Sequence, residues 1–421
     1  MRVCLRPKPN PIGKIKVMSI SVHATPALAW CPEMELLLAC ARLHLTPDRA
    51  ERVRALLQAE LDWETMMERA IAHGTLALLY QSMQNVATDA VPQAVLDQLR
   101  TYFYSNAEHN LRLTHELIKL LELFETHEIQ AIPYKGPAVA AALYGSILLR
   151  QYSDLDIIVA PEHRDQAKAL LFARGYELWT EMTDAQKAAH EHEMHADTFV
   201  HPTSEIAVDL HWALAQRRFA IALTPDHLWD HLEPVTLPGK TVSSISVAEL
   251  LLILCIHGAK HSWERLGWLC DIAELIDGDH DLDWDRIMAQ ARDTNNERIL
   301  LLGLCLARDL LGTTLPPDIA VQIDSQTAVQ SLAERLRTRL LTETQRPLSL
   351  LEQQFLYPKM RERFMDKLPY LLHLVRQALT PTTQDHQHLR LPAWLAILYY
   401  PYRLIRLIAT YGLGPIKRRM Q

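Results

Sequence analysis

Asp154 and Asp156 stand two apart in Asp154-Leu155-Asp156-Ile157-Ile158-Val159, a run whose branched residues suit a strand. Residues two apart on a strand share a face, so both carboxylates aim at one spot. Their repulsion there calls for a compensating charge. A hard divalent cation with oxygen ligands, such as magnesium, supplies it. Alone, this pattern reads better as an acidic turn ahead of a strand; the neighbouring residues shift the balance. Gly136 follows a short strand at the mouth of a small-residue helix, where free backbone N–H groups can meet phosphate. Lys135 and Arg150 flank the same loops. A further strand-like segment, Ile206–His211, carries Asp209 and His211 on one face and Val208 and Leu210 on the other. Two carboxylates on one strand and a third on a neighbour suit two-metal phosphoryl transfer.

The elements that must position these residues follow from periodicity. Apolar residues recur at helical spacing from Glu33 to about Asn110, including Leu36, Leu37, Cys40, Val53 and Leu56. Thr46-Pro47 reads as an N-cap followed by proline at the first helical position, and His73-Gly74 as a helix end. Leu111–Thr126 is an amphipathic helix leading into the core strand. After Val159 come a helix from Pro161 to Arg174, closed by Gly175, and strands at Tyr176–Trp179, Asp197–His201 and Ile206–His211. Pro225 to Pro238 reads as a polar connection. Helical segments follow at Val247–Ser262, Trp268–Ile276, Trp284–Thr294, Glu297–Leu311 and Pro317–Arg337.

The expected fold is α+β: a small mixed sheet with helices on one face, flanked by N- and C-terminal helical regions and mostly helical overall. The expected divisions are a disordered basic N-terminus over 1–30, a helical region over 31–110 and the α+β core over 111–215. A C-terminal helical domain follows over 216–345, then a helical extension with an apolar, basic tail over 346–421. The first 17 residues hold five basic residues and no acid, and Met18 would serve as an alternative start.

The net charge of −7 gives no overall basic footprint, which disfavours nucleic acid as a partner. Six cysteines without a Cys-x-x-Cys pair read as buried thiols in a reducing cytoplasm. No stretch approaches the length of a membrane-spanning helix. Past Asp385 the chain has no acidic residue, and its apolar, aromatic run Leu391–Tyr402 is followed by Arg403, Arg406, Lys417, Arg418 and Arg419. That segment reads as a docked C-terminal helix with a basic tail, the alternative being peripheral contact of 391–421 with an inner-membrane surface.

Histidines cluster twice. His190, His192, His195, His201 and His211 lack a zinc-site spacing; His195 and His211 read as positioning groups or proton carriers near the carboxylates. His257 and His261 lie one helical turn apart and, with Lys260 and Arg265, form a cationic wall facing a phosphate or an acceptor, with Asp271 as its expected ion partner.

The chain resembles the uncharacterised nucleotidyltransferase family of bacteria, a divergent branch of the DNA polymerase beta-like superfamily. The residues that carry the likeness are Tyr134-Lys135-Gly136, Leu143-Tyr144-Gly145, Arg150, Ser153-Asp154-Leu155-Asp156, Gly175-Tyr176 and Val208-Asp209-Leu210-His211-Trp212. A later block, His257-Gly258-Ala259-Lys260-His261 through Trp268-Leu269-Cys270-Asp271, joins them, and the likeness runs from about Leu36 to Leu413. It implies magnesium-dependent transfer of a nucleoside monophosphate from a nucleoside triphosphate, ATP being the expected one, to a hydroxyl acceptor. By the same likeness, Asp154, Asp156 and Asp209 would hold two magnesium ions and carry catalysis. Lys135, Gly136, Arg150 and Ser153 would bind the nucleotide. The phosphate loop reads Lys-Gly here rather than Gly-Gly or Gly-Ser. That departure supports a second reading, a catalytically inactive binding or scaffold protein at a membrane.

Overall fold

The structure is a computed structural model that describes residues 31–86, 88–179, 195–219, 221, 226–342, 350–380, 395 and 398–407. The expectations for residues 1–30, His190, His192 and most of 391–421 lie outside them.

Five strands build the central sheet: β1 (Ala131–Pro133), β2 (Asp154–Val159), β3 (Glu177–Leu178), β4 (Ala196–Val200) and β5 (Ala207–His211). Their order is β1-β2-β5-β4-β3, with β2 and β5 parallel and the other pairs antiparallel. The sheet is therefore mixed and small, and the chain around it is mostly helical, as expected. Alternation along the strands separates its faces. Leu155, Ile157 and Val159 of β2, Phe199 of β4, and Val208 and Leu210 of β5 enter an apolar cluster with Leu113, Leu117, Leu120 and Phe124. Ala167 and Leu171 of the Arg164–Ala173 helix complete it. The opposite face carries the carboxylates.

Leu113, Leu117, Leu120 and Phe124 belong to one 34-residue helix, Gln93–Thr126, about 50 Å long. The separate elements expected on either side of Asn110 are thus continuous. Asn110 stays helical because its buried amide donates to the Ile147 carbonyl at 2.7 Å and the Arg150 carbonyl at 2.8 Å. Its amide N–H groups are taken up by the loop ahead of β2, so they do not compete with the helix backbone.

The polar connection expected between Pro225 and Pro238 is instead largely a hairpin, β6 (Leu232–Leu237) with β7 (Lys240–Ile245), turning at Pro238-Gly239. Val235, Leu237, Val242, Ser244 and Ile245 are its buried positions, and along most of it these alternate with exposed polar residues that hide the pattern. The hairpin lies against β1, and Ser244 Oγ donates to the Pro133 carbonyl at 2.7 Å. The edge of the sheet is thereby covered. Pro317–Arg337 also divides, into helices Pro317–Ser325 and Thr327–Leu341.

The flanking helical regions share a core. Leu36, Leu37 and Cys40 of helix Pro32–Cys40 join one apolar cluster with Leu254, Leu269, Leu301 and Leu304 from the second half of the chain. Arg42 closes the seam by pairing with Glu274 and Asp277, each at 2.7 Å. Cys40, Cys255, Cys270 and Cys305 are buried free thiols, and burial pushes Cys40 up to about 12. Among the described residues no helix is long and apolar enough to cross a membrane.

Candidate active site

The parallel register sets Asp156 directly against Asp209, and Asp154 against Ala207. Asp156 is buried, while Asp154 and Asp209 are half-buried. Two residues beyond Asp209, buried His211 places Nε2 3.1 Å from Asp156 Oδ1. Lys135 Nζ donates to the same oxygen at 3.2 Å and to the Tyr134 hydroxyl at 3.0 Å. That hydroxyl lies 3.2 Å from His211 Nε2, so Tyr134, Lys135, Asp156 and His211 form a closed ring of contacts. From β4, Thr198 Oγ1 donates to Asp209 Oδ1 at 2.6 Å.

Burial alone would raise the Asp156 carboxyl. Lys135, then His211 and His257, outweigh it and hold the group well below the usual carboxylate range. Burial beside the three aspartates drives the Tyr134 phenol well above its ordinary value, so it remains a neutral hydrogen-bonding group.

Gly136 opens the helix Pro137–Tyr144 with φ +58° and ψ −126°, a conformation essentially reserved for glycine. A Cβ at this position would stand 3.3 Å from the Asp154 carbonyl oxygen. Backbone passes close to backbone here, bringing the helix mouth alongside the start of β2.

The helix Val247–Lys260 supplies the facing wall. Ser246 caps it by accepting from Glu249 N–H, and its other end is fixed by Trp263, whose ring lies against Gly258. A Cβ on Gly258 would fall 2.3 Å from that ring. His257 and His261 pack 4.7 Å apart and both meet the Trp268 ring, at 5.1 and 5.4 Å. Burial, and then Lys135, holds His257 well below its ordinary value, so it is neutral. Lys260 Nζ reaches the Leu214 carbonyl at 3.4 Å and lies over the Phe219 ring. Burial first, and Lys135 second, lower Lys260 to about 7. His195 lies 5.3 Å from His211 ring to ring, and burial keeps it neutral.

The structure therefore brings Lys135, Gly136, Asp154, Asp156, Asp209, His195, His211, His257, Lys260 and His261 to one cleft. Three sequence expectations fall elsewhere. Arg150 does not face the phosphate loop: its guanidinium grips Asp271 through Nε at 2.9 Å and Nη2 at 2.9 Å, in a site that also receives the Tyr144 hydroxyl at 2.9 Å. Asp271 is accordingly the partner of Arg150 and not of the His257–His261 wall. Ser153 is exposed and lines a separate cavity of about 250 Å³ with His109, Arg112, Thr203 and Ser204. The contacts of Tyr134 and Thr198 are not legible in the sequence alone. For Thr198 the one available signal is its place on a strand antiparallel to the one bearing Asp209.

One ligand atom each from Asp156, Asp209 and His211 lie within 4.8 Å of one another, a donor set able to close on a single cation. The mixed sheet, the paired carboxylates and the glycine-opened helix are those of a nucleotidyltransferase-type core. Residues 59–312 match the family described as uncharacterised nucleotidyltransferase, and the chain belongs to that family. The match spans the sheet, the cleft and Asp271. No curated protein matches the chain.

Proposed function

We propose that the protein is a magnesium-dependent nucleotidyltransferase that moves a nucleoside monophosphate from a nucleoside triphosphate, ATP being the expected one, to a hydroxyl-bearing acceptor. The observation that carries this reading is the opposition of Asp156 and Asp209 on parallel strands, beside the Gly136 helix mouth. Asp154, Asp156 and Asp209 would hold two magnesium ions, with His211 at the inner end of the set. Magnesium bound there supplies charge neutralisation at the transferring phosphoryl group and lowers the pKa of a bound hydroxyl. Asp209, oriented by Thr198, accepts the acceptor's proton as its oxygen attacks the α-phosphorus and pyrophosphate leaves. Backbone N–H groups after Gly136 receive the phosphates. Lys135, which donates to Asp156 here, would be able to turn to the phosphates when that carboxylate holds a cation. Lys260 and His257 add donors from the facing wall.

Thermal unfolding with each nucleoside triphosphate, with and without magnesium, tests the reading. A ligand that binds only the folded chain raises its midpoint by mass action. A magnesium-dependent rise that disappears in Asp154→Asn/Asp156→Asn supports the assignment and names the preferred base. No shift with any triphosphate overturns it.

A further inference from the structure

The helix Phe364–Leu379 presents two faces of opposite fate. Tyr370 and Leu374 point inward, and the Tyr370 ring packs 5.1 Å from Tyr357 and 5.7 Å from Phe219. The outward face is apolar as well. Phe364 is 67% exposed, Met365 68%, Leu372 57% and Val375 56%, and Leu379 is also exposed. Met365, Leu368, Leu372, Val375 and Leu379 follow one another at steps of three and four, a continuous stripe on one side of the helix. The neighbouring helix Tyr399–Leu407 packs against this one and adds exposed Tyr400 and Ile405, with exposed Leu398 just ahead of it. Single apolar residues on a surface need no explanation, but a stripe along one helix face, with further exposed apolar residues on the helix packed beside it, does.

The charge around the stripe selects what covers it. Lys367, Arg376, Arg403 and Arg406 lie on these two helices, and Arg363 immediately precedes the first. The only acid on either helix is Asp366, 3.6 Å from buried Arg361. The helix Tyr399–Leu407 also carries three tyrosines between positions 399 and 402. Apolar side chains in a stripe, flanking arginine and lysine, and aromatic residues at the margin are the features by which a helix settles into the headgroup boundary of a negatively charged bilayer. A second copy of the chain fits less well. The stripe spans only two heptads, with Pro369 beside it, and its flanks would bring like charges together.

We propose that the outward face of Phe364–Leu379, continued by Tyr399–Leu407, docks the protein peripherally on an anionic lipid bilayer. The contact is interfacial and reversible, made by apolar side chains entering the headgroup layer while basic residues meet lipid phosphates. Through Tyr370 and Phe219 the docked helix is continuous with Lys260, so the cleft would sit close to the membrane plane.

Cosedimentation of the full chain with vesicles tests this. Vesicles of phosphatidylcholine mixed with phosphatidylglycerol are compared with phosphatidylcholine alone, at low and high salt. The expected result is binding to the anionic vesicles only, weakened by salt. It should fall by about tenfold or more in Met365→Ser/Leu372→Ser/Val375→Ser. These side chains are exposed, so the variant's unfolding midpoint should match the wild type, which separates lost docking from lost folding. Absence of sedimentation with either vesicle overturns the proposal, as does equal binding to both. Light scattering that finds a dimer, converted to a monomer by the same triple substitution, overturns it in favour of a second copy.

Discussion

Asp156 and Asp209 occupy paired positions on adjacent parallel strands, yet their partners differ in kind. Asp156 is held by a cation and an imidazole, whereas Asp209 receives a hydroxyl from Thr198. Replacing either aspartate by asparagine should lower nucleotide transfer by about two orders of magnitude or more. The stability effects should diverge. Asp156→Asn leaves Lys135 buried beside a neutral amide and should cost about 3 kcal/mol. Asp209→Asn keeps an oxygen for Thr198 and should leave the unfolding midpoint nearly unchanged. Denaturant titration of both variants beside the transfer assay checks the contrast.

Gly136→Ala should disturb the phosphate end of the cleft selectively. The substitution forces a Cβ into a φ +58° conformation and against the Asp154 carbonyl. A cost of about 1–3 kcal/mol in stability is expected, with weaker triphosphate binding because the helix mouth must shift. Gly145→Ala serves as the control: its φ is positive too, but a Cβ there would meet no atom within 4 Å. It should lose stability without losing triphosphate affinity, measured by calorimetric titration.

The Arg150–Asp271 pair is buried and bidentate, and the two residues lie 121 positions apart. Breaking it by Arg150→Met or Asp271→Leu alone strands a buried charge and should cost about 3–5 kcal/mol. The double variant should recover most of that loss, and a double-mutant cycle in denaturant measures the coupling. Equal, additive losses would contradict a coupled pair.

Acid should destabilise the fold through His73. Its Nδ1 accepts from the Leu266 N–H at 3.3 Å, which requires the unprotonated ring, and burial first, with Arg69 and Arg265 behind it, lowers it to about 4. The unfolded chain titrates this imidazole near 6.5. Between those values the unfolded state binds more protons, so stability rises with pH across the window and falls as pH drops from 6.5 towards 4. The full effect is on the order of 3 kcal/mol. His73→Asn should flatten that part of the stability–pH profile.

Local pattern reveals what local physics determines. The Asp154–Val159 alternation, the Asp209–His211 face and the helix ending at His73-Gly74 are readable because each rests on residues a few positions apart. Arg150 misleads for the complementary reason. Beside Gly145 and Ser153 it looks like a phosphate ligand, and only the three-dimensional approach of Leu266–Asp277 shows the carboxylate that claims it. Likewise Asn110, a common helix breaker, gives no local sign of the two carbonyls that keep it helical. The β6–β7 hairpin is hidden because its strands hold polar residues suited to a cover over an edge rather than to a core.

The Arg150–Asp271 contact also limits what can be exchanged. An arginine on the loop ahead of β2 and an aspartate on a distant helix are each harmful without the other. Neither position can drift freely, and a viable exchange must pass through both. The sheet and the Leu266–Asp277 helix are thus tied energetically: a core of this kind set on another helical partner would leave the arginine buried without its carboxylate.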